Sequence, residues 1–142
     1  MRANGAKRMA LVVKSDTYED FLLALSWAGI GADSEMEVCL FFTNRAARHL
    51  HRDRFRELAT APPGDEVGAH FIDRAEQLGF TDLHALLRQV KETGRVRVYV
   101  CSRGARIYDL RPDTLLPEVD SVLGTASFLL NEAQHADILM TI

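Results

Sequence analysis

The sequence contains little cysteine: only Cys39 and Cys101 occur among its 142 residues. Nothing in the pattern indicates a secreted disulfide framework, so we expect both thiols to be reduced and the protein to be cytoplasmic. Of the five histidines, only His49 and His51 stand close together, and they lie in an arginine-rich stretch. This spacing does not form a recognisable ligand set, and we therefore expect no metal site.

Long hydrophobic runs are also missing. The run from Met9 to Val13 is too short for the core of a signal peptide, and no stretch approaches the roughly 20 apolar residues that a membrane-spanning helix needs. The formal net charge is only −3, without an obvious basic face of the kind that nucleic-acid binders carry. We therefore expect neither a membrane nor a nucleic acid among the partners.

The chain lacks the glycine-rich loops that hold nucleotides, since neither GxGxxG nor GxxxxGK[ST] occurs in it. The segment from Cys101 to Arg106 has some likeness to the loop of cysteine phosphatases. That loop requires five residues between cysteine and arginine, and Ile107 stands where the arginine would have to be. These absences argue against a phosphatase or a nucleotide-loop enzyme, and we expect no cofactor.

What the sequence does contain is a regular alternation of strand and helix patterns within one domain, residues 1–142. Short apolar runs predict five strands that begin near Met9, Glu37, Val96, Val119 and Asp137. Helical spacing predicts the segments Tyr18–Ile30 (ended by Gly29 and Gly31), Thr43–Leu58, Phe71–Leu78, Leu83–Gly94 (capped by Thr81), Ser102–Tyr108 and Gly124–Ala133. The alternation predicts an α/β fold: a mainly parallel five-stranded sheet with helices on both faces, in flavodoxin-like layering.

Cys101 is the main candidate for function, because it stands at the carboxyl end of a predicted strand, where ligands collect in parallel sheets. If a helix starts at Ser102, its free N–H groups and two nearby arginines favour the thiolate. The alternative is a small buried core residue. The other predicted site residues, on the loops at the same edge, are Ser102, Arg103, Gly104, Arg106, Asp16, Asn44, Gly124 and Thr125. For the last four of these, the alternative is a cap or turn residue.

Two further features allow more than one interpretation. Cys39 lies within a buried apolar strand and reads as core filler, with a resolving thiol for Cys101 as the alternative. The arginines between Arg45 and Arg56 read as a solvated helix face, although they could also dock an acidic partner.

The sequence resembles the DsrE/DsrF-like superfamily of small sulfur-relay proteins over nearly the whole domain, and most clearly in its last 60 residues. The resemblance rests on the helix Leu83–Gly94, the strand ending at Cys101, the segment Glu118–Phe128 with its turn at Gly124, and the closing strand Asp137–Ile142. It implies a parallel α/β sheet, a homo-oligomer (trimer or hexamer), a sulfur donor or acceptor protein as partner, and a cysteine that carries sulfur as a persulfide. The arginine-rich stretch 43–79 and the lack of a second cysteine near Cys101 depart from the well-understood carriers.

Three functions therefore compete. The first is a sulfur carrier, similar to a sulfurtransferase, that uses Cys101. The second is a module that binds a small ligand or nucleotide, with Cys101 lining the cleft. The third is an interaction subunit whose role is oligomeric assembly. A reactive, acidic thiol at Cys101 separates the first from the other two.

Overall fold

The structure, a computed structural model, describes residues 5–80 and 82–142. Its sheet has five strands: β1 (Arg8–Val13), β2 (Glu37–Phe42), β3 (Val96–Cys101), β4 (Ser121–Leu123) and β5 (Ile138–Thr141). All neighbouring strands pair in parallel, in the order β4-β3-β2-β1-β5. The predicted five-stranded α/β fold is confirmed, and all its strands are parallel. The shortest strand, β4, begins at Ser121 and not near Val119 as predicted.

Six helices connect the strands: α1 (Tyr18–Asp33), α2 (Asn44–Ala47), α3 (Glu66–Gln77), α4 (Leu83–Glu92), α5 (Ser102–Ile107) and α6 (Thr125–Asn131). Two short 3-10 helices, Phe55–Ala59 and Ala133–His135, complete the described chain. The predicted cap of α4, Thr81, lies outside the described residues. Asp82 caps this helix, since its carboxylate accepts a hydrogen bond from the N–H of Ala85 at 2.9 Å.

Helix α1 continues three residues beyond its predicted end at Ile30. Gly31 does not terminate it but lets it pack closely, because a Cβ there would lie 3.0 Å from the Val38 side chain and 3.1 Å from that of Met9. The turn comes later, where Glu35 adopts a positive φ of 65°. The expectation that Gly29 and Gly31 end this helix is therefore wrong.

The predicted long helix Thr43–Leu58 is also wrong, because α2 ends after four residues. The chain beyond it is held by contacts distant in sequence: His51 bridges to Leu115, and the N–H of Arg52 donates to the carbonyl of Thr114 at 2.8 Å. These bonds replace helical ones. The third helix begins at Glu66, five residues before the predicted start at Phe71, because Asp65 caps it by accepting a hydrogen bond from the N–H of Gly68.

Helices cover the two sheet faces unequally. On one face Leu11, Leu40 and Val98 are fully buried in the main core beneath α1 and α4. The other face, called here the α6 face, has a smaller core formed by Ala10, Cys39, Phe41, Cys101, Phe128 and Ala133. There the ring of Phe41 stacks on that of Phe128 of α6, with centroids 4.2 Å apart.

Within residues 5–80 and 82–142, no helix combines the length and apolar character that crossing a membrane requires. The same residues contain no group of three or more histidine, cysteine or acidic side chains arranged to hold a metal ion.

His49 is a buried titratable group in the main core. Its ring packs edge-on against Phe21, and Nδ1 lies 3.1 Å from the carbonyl oxygen of Arg54. Burial lowers the pKa of this imidazole below the ordinary value of about 6.5. As the pH falls through that range, the unfolded state takes up a proton that the folded state resists, so the free energy of unfolding must fall.

We predict that His49 makes the protein less stable as the pH falls from 7.5 to 5.5, by at most about 1.4 kcal/mol per pH unit. The measurement is denaturant unfolding across this range. His49→Asn, which keeps a donor but does not titrate, should show a shallower loss than the wild-type protein. The control His70→Asn removes an exposed histidine and should keep the wild-type slope. An unchanged slope in His49→Asn would contradict the prediction.

Candidate functional site

Cys101 is at the same time the last residue of β3 and the N-cap of α5. Its extended backbone, with φ −61° and ψ 132°, turns the chain from strand to helix without an intervening loop. The free N–H groups of the first turn of α5 therefore face the cysteine. The residue is only 2% exposed, so the thiol lies in a nearly closed space at the carboxyl edge of the sheet.

Hydrogen bonds control the ionisation of this thiol. Burial acts to raise the pKa of Cys101, but donors oppose it: the backbone N–H of Gly104, the Thr43 hydroxyl, the backbone N–H of Arg103 and the Thr125 hydroxyl. The sulfur lies 3.8 Å from Oγ1 of Thr125. Together these donors hold the pKa of Cys101 below its ordinary value, so a larger fraction is thiolate at neutral pH.

Several predicted site residues lie around this sulfur. Gly104 allows α5 to approach α2, because a Cβ there would lie 2.7 Å from Cβ of Ala47 and 3.9 Å from the backbone of Asn44. Asn44 is exposed and has a positive φ of 52°. Gly124 is the N-cap of α6, and a Cβ at this position would lie 3.8 Å from Oγ of Ser102. The loops that follow β2, β3 and β4 therefore meet at one place.

The charged residues of the prediction lie further out. Arg103 and Arg106 are exposed and line an open depression together with Ser102 and Ile107. Asp16 forms an ion pair with Arg45, at 3.5 Å. The groups that lower the pKa of Cys101 are hydrogen-bond donors, and the proposed influence of the two arginine charges stays a prediction.

Thr43 is the residue that sequence reasoning missed. It directly follows β2, and its N–H donates to the carbonyl of Val13 at 2.9 Å, so its backbone continues the sheet. Its position in the sequence could have indicated its role. When β2 and β3 pair in parallel, the residue that follows β2 lies beside the residue that ends β3. The prediction named Asn44, the next residue, instead.

Cys39 is as buried as Cys101 and belongs to the same small core, but its thiol ionises less readily. Burial raises the pKa of its thiol well above the ordinary value. It pairs in register with Arg97, four residues before Cys101, so the two cysteines lie roughly 13 Å apart along the strand direction. This separation is far beyond disulfide reach within one chain. Cys39 is therefore a core residue and cannot serve as an intramolecular resolving thiol in this fold.

The fold and the site define a class: a single parallel α/β domain with one hydrogen-bonded thiol at the carboxyl edge of its sheet. A model of the DsrE/DsrF-like family matches residues 7–142, and the chain belongs to that family.

Two solved structures have the same fold. The YchN protein from E. coli is 15% identical, with a TM-score of 0.56, and the match covers 95% of this chain and 99% of that one. MTH1491 from Methanobacterium thermoautotrophicum, a protein of unknown function, is 18% identical, with a TM-score of 0.60, and the match covers 94% and 98%. A search of curated proteins found no match.

We predict that removing either hydroxyl donor raises the pKa of Cys101. Thr43→Val and Thr125→Val should each shift it upward by up to about one unit, because each removes one hydrogen bond to the thiolate. The midpoint of alkylation rate against pH, with the labelled cysteine identified by mass spectrometry, measures the shift. Thr141→Val is the control, since its hydroxyl makes no hydrogen bond among the described residues. Equal midpoints in all four proteins would contradict the prediction.

Proposed function

We propose that this protein is a cytoplasmic sulfur carrier that holds sulfane sulfur as a persulfide on Cys101 and passes it on within a sulfur relay. The observation that carries the proposal is the lowered pKa of the Cys101 thiol at the carboxyl edge of the sheet. Membership of the DsrE/DsrF-like family supports it, because the resemblance to sulfur-relay proteins implies this chemistry.

The transfer step is a displacement at sulfur. The Cys101 thiolate attacks the outer sulfur of a donor persulfide, a new S–S bond forms at Cys101, the S–S bond of the donor breaks, and the donor leaves as a thiolate. No external oxidant or reductant is needed, because one sulfane sulfur changes partner. The hydrogen-bond donors around Cys101 stabilise its thiolate in two steps. In the first step the thiolate is the attacking group, and in the second it is the leaving group, when an acceptor thiol removes the outer sulfur.

Access to the sulfur requires local opening, because Cys101 is nearly completely covered within one chain. Of the two threonines in the hydrogen-bonded set, Thr125 is exposed and Thr43 is half-buried, and Thr125 begins the seven-residue helix α6. A short helix start gives way more easily than the strand ends that carry Thr43 and Cys101. Movement of the Gly124–Thr125 segment is therefore the proposed route by which a donor reaches the thiolate.

We predict that the protein takes up one sulfur atom on Cys101 when it is incubated with a persulfide donor. Intact-mass spectrometry should show an addition of about 32 Da, reversed by a thiol acceptor. Cys101→Ser should not load, whereas Cys39→Ala should load like the wild-type protein. Loading of Cys39 alone would show that the site assignment is wrong. If neither cysteine loads in the folded protein, a binding module with Cys101 as a wall residue explains the site better.

We further propose that the protein forms a homo-oligomer, a trimer or hexamer, through the α6 face. Leu139 of β5 pairs with Ala10 in register and therefore points to this face, where it remains 54% exposed. Leu129 and Leu130 of α6 are exposed to a similar degree. A second copy would bury this apolar surface, which short helices alone leave open.

We expect sedimentation velocity at micromolar concentration to show a trimer or hexamer, and Leu139→Lys to shift the protein to monomers by placing a charge in the interface. The control is Ile30→Lys, which changes an exposed apolar residue of α1. It should leave the oligomer intact. A wild-type protein that sediments as a monomer would refute the proposal.

A further inference from the structure

A cavity of about 400 Å³ lies on the sheet face opposite to the Cys101 thiol. This volume is within the range of small-molecule sites. Its lining includes Tyr18 of α1, Leu83 of α4, and Phe55 and Leu58 of the first 3-10 helix. These four side chains belong to the main core, so the floor of the cavity is apolar and fixed by the fold.

The rim of the cavity is charged. Arg56 is exposed and makes no hydrogen bond or ion pair with any described residue. Arg52 uses only Nε, which donates to the carbonyl of Leu115 at 3.3 Å, so its two terminal nitrogens remain available. The carboxylate of Asp82, which also lines the cavity, is engaged as the cap of α4.

His84 completes the wall and adds a flat surface. Its Nε2 pairs with Oε1 of Glu118, and its ring lies 5.4 Å from that of Phe55. The contact with Glu118 fixes the ring orientation. A ligand with a flat apolar body could therefore pack against Phe55 and His84 while an anionic head reaches the arginines.

The charged lining residues favour a monoanion. Arg52 and Arg56 carry two positive charges and Asp82 carries one negative charge. A carboxylate matches this charge and the planar geometry of arginine.

We propose that this cavity binds a small organic carboxylate with a flat apolar body, and that the arginine-rich stretch serves to build the site. The proposal does not depend on the chemistry of Cys101. In this proposal Arg52 and Arg56 bind the carboxylate of a small molecule. This role differs from the two earlier interpretations, a solvated helix face and a docking site for an acidic partner.

The test uses 2-naphthoate as probe, with 2-naphthamide as the neutral analogue and 2-naphthyl phosphate as the dianion, measured by isothermal titration calorimetry. We expect naphthoate to bind about tenfold more tightly than either analogue. Arg56→Gln should weaken naphthoate about fivefold and leave naphthamide unchanged. Ala59→Trp, which fills the cavity from its exposed lining, should abolish binding of all three.

Arg95→Gln is the control, because Arg95 immediately precedes β3 and so lies at the opposite, amino edge of the sheet, and it should leave every affinity unchanged. Thermal unfolding of each variant checks that it is folded. The proposal is overturned if naphthoate does not bind, if the phosphate binds more tightly, if Arg56→Gln weakens both naphthoate and naphthamide or neither, or if folded Ala59→Trp still binds.

Discussion

The register of three parallel strands determines the candidate site. Phe42 of β2 pairs with Val100 of β3. The residues that follow them, Thr43 and Cys101, therefore also lie side by side. Because Cys101 pairs with Leu123, the turn that follows β4 brings Thr125 to the other side of the sulfur. One hydroxyl from each flanking strand end thus reaches the same thiol. A shift of either pairing by one residue would point the flanking side chain to the other face.

Burial and hydrogen bonding oppose each other at Cys101, and the outcome depends on geometry. Enclosure in an apolar cluster disfavours the thiolate, as it does at Cys39, where burial outweighs the opposing charge of Arg97. At Cys101 two backbone N–H groups and two hydroxyls reverse the balance. The close approach of α5 to α2, which Gly104 permits, holds those N–H groups in place.

The sequence contained enough information to predict the sheet, because buried parallel strands are short apolar runs that stand out between helices. The strand-end position of Cys101 followed from the same pattern. The segment Thr43–Leu58 was mistaken for one helix, because its apolar spacing fits a helix. Its middle is instead tied to a distant segment, since the N–H of Arg52 donates to the carbonyl of Thr114 and the N–H of Leu116 donates to that of Leu50. Such distant partners leave no local pattern, and the same holds for Arg56 and Tyr18, which only the fold brings to one cavity.

The arginine-rich stretch is held in place by residues that follow α5. Arg54 donates from Nη1 to the carbonyl of Tyr108 at 3.0 Å, and Arg52 donates to that of Leu115. Both acceptors belong to the connection between α5 and β4. The helix that begins at the thiol on one face of the sheet therefore leads into the segment that anchors the cavity wall on the other face. Because these anchors are backbone carbonyls, they depend on the path of the chain and not on the side chains at those positions, and the wall is fixed before any ligand enters.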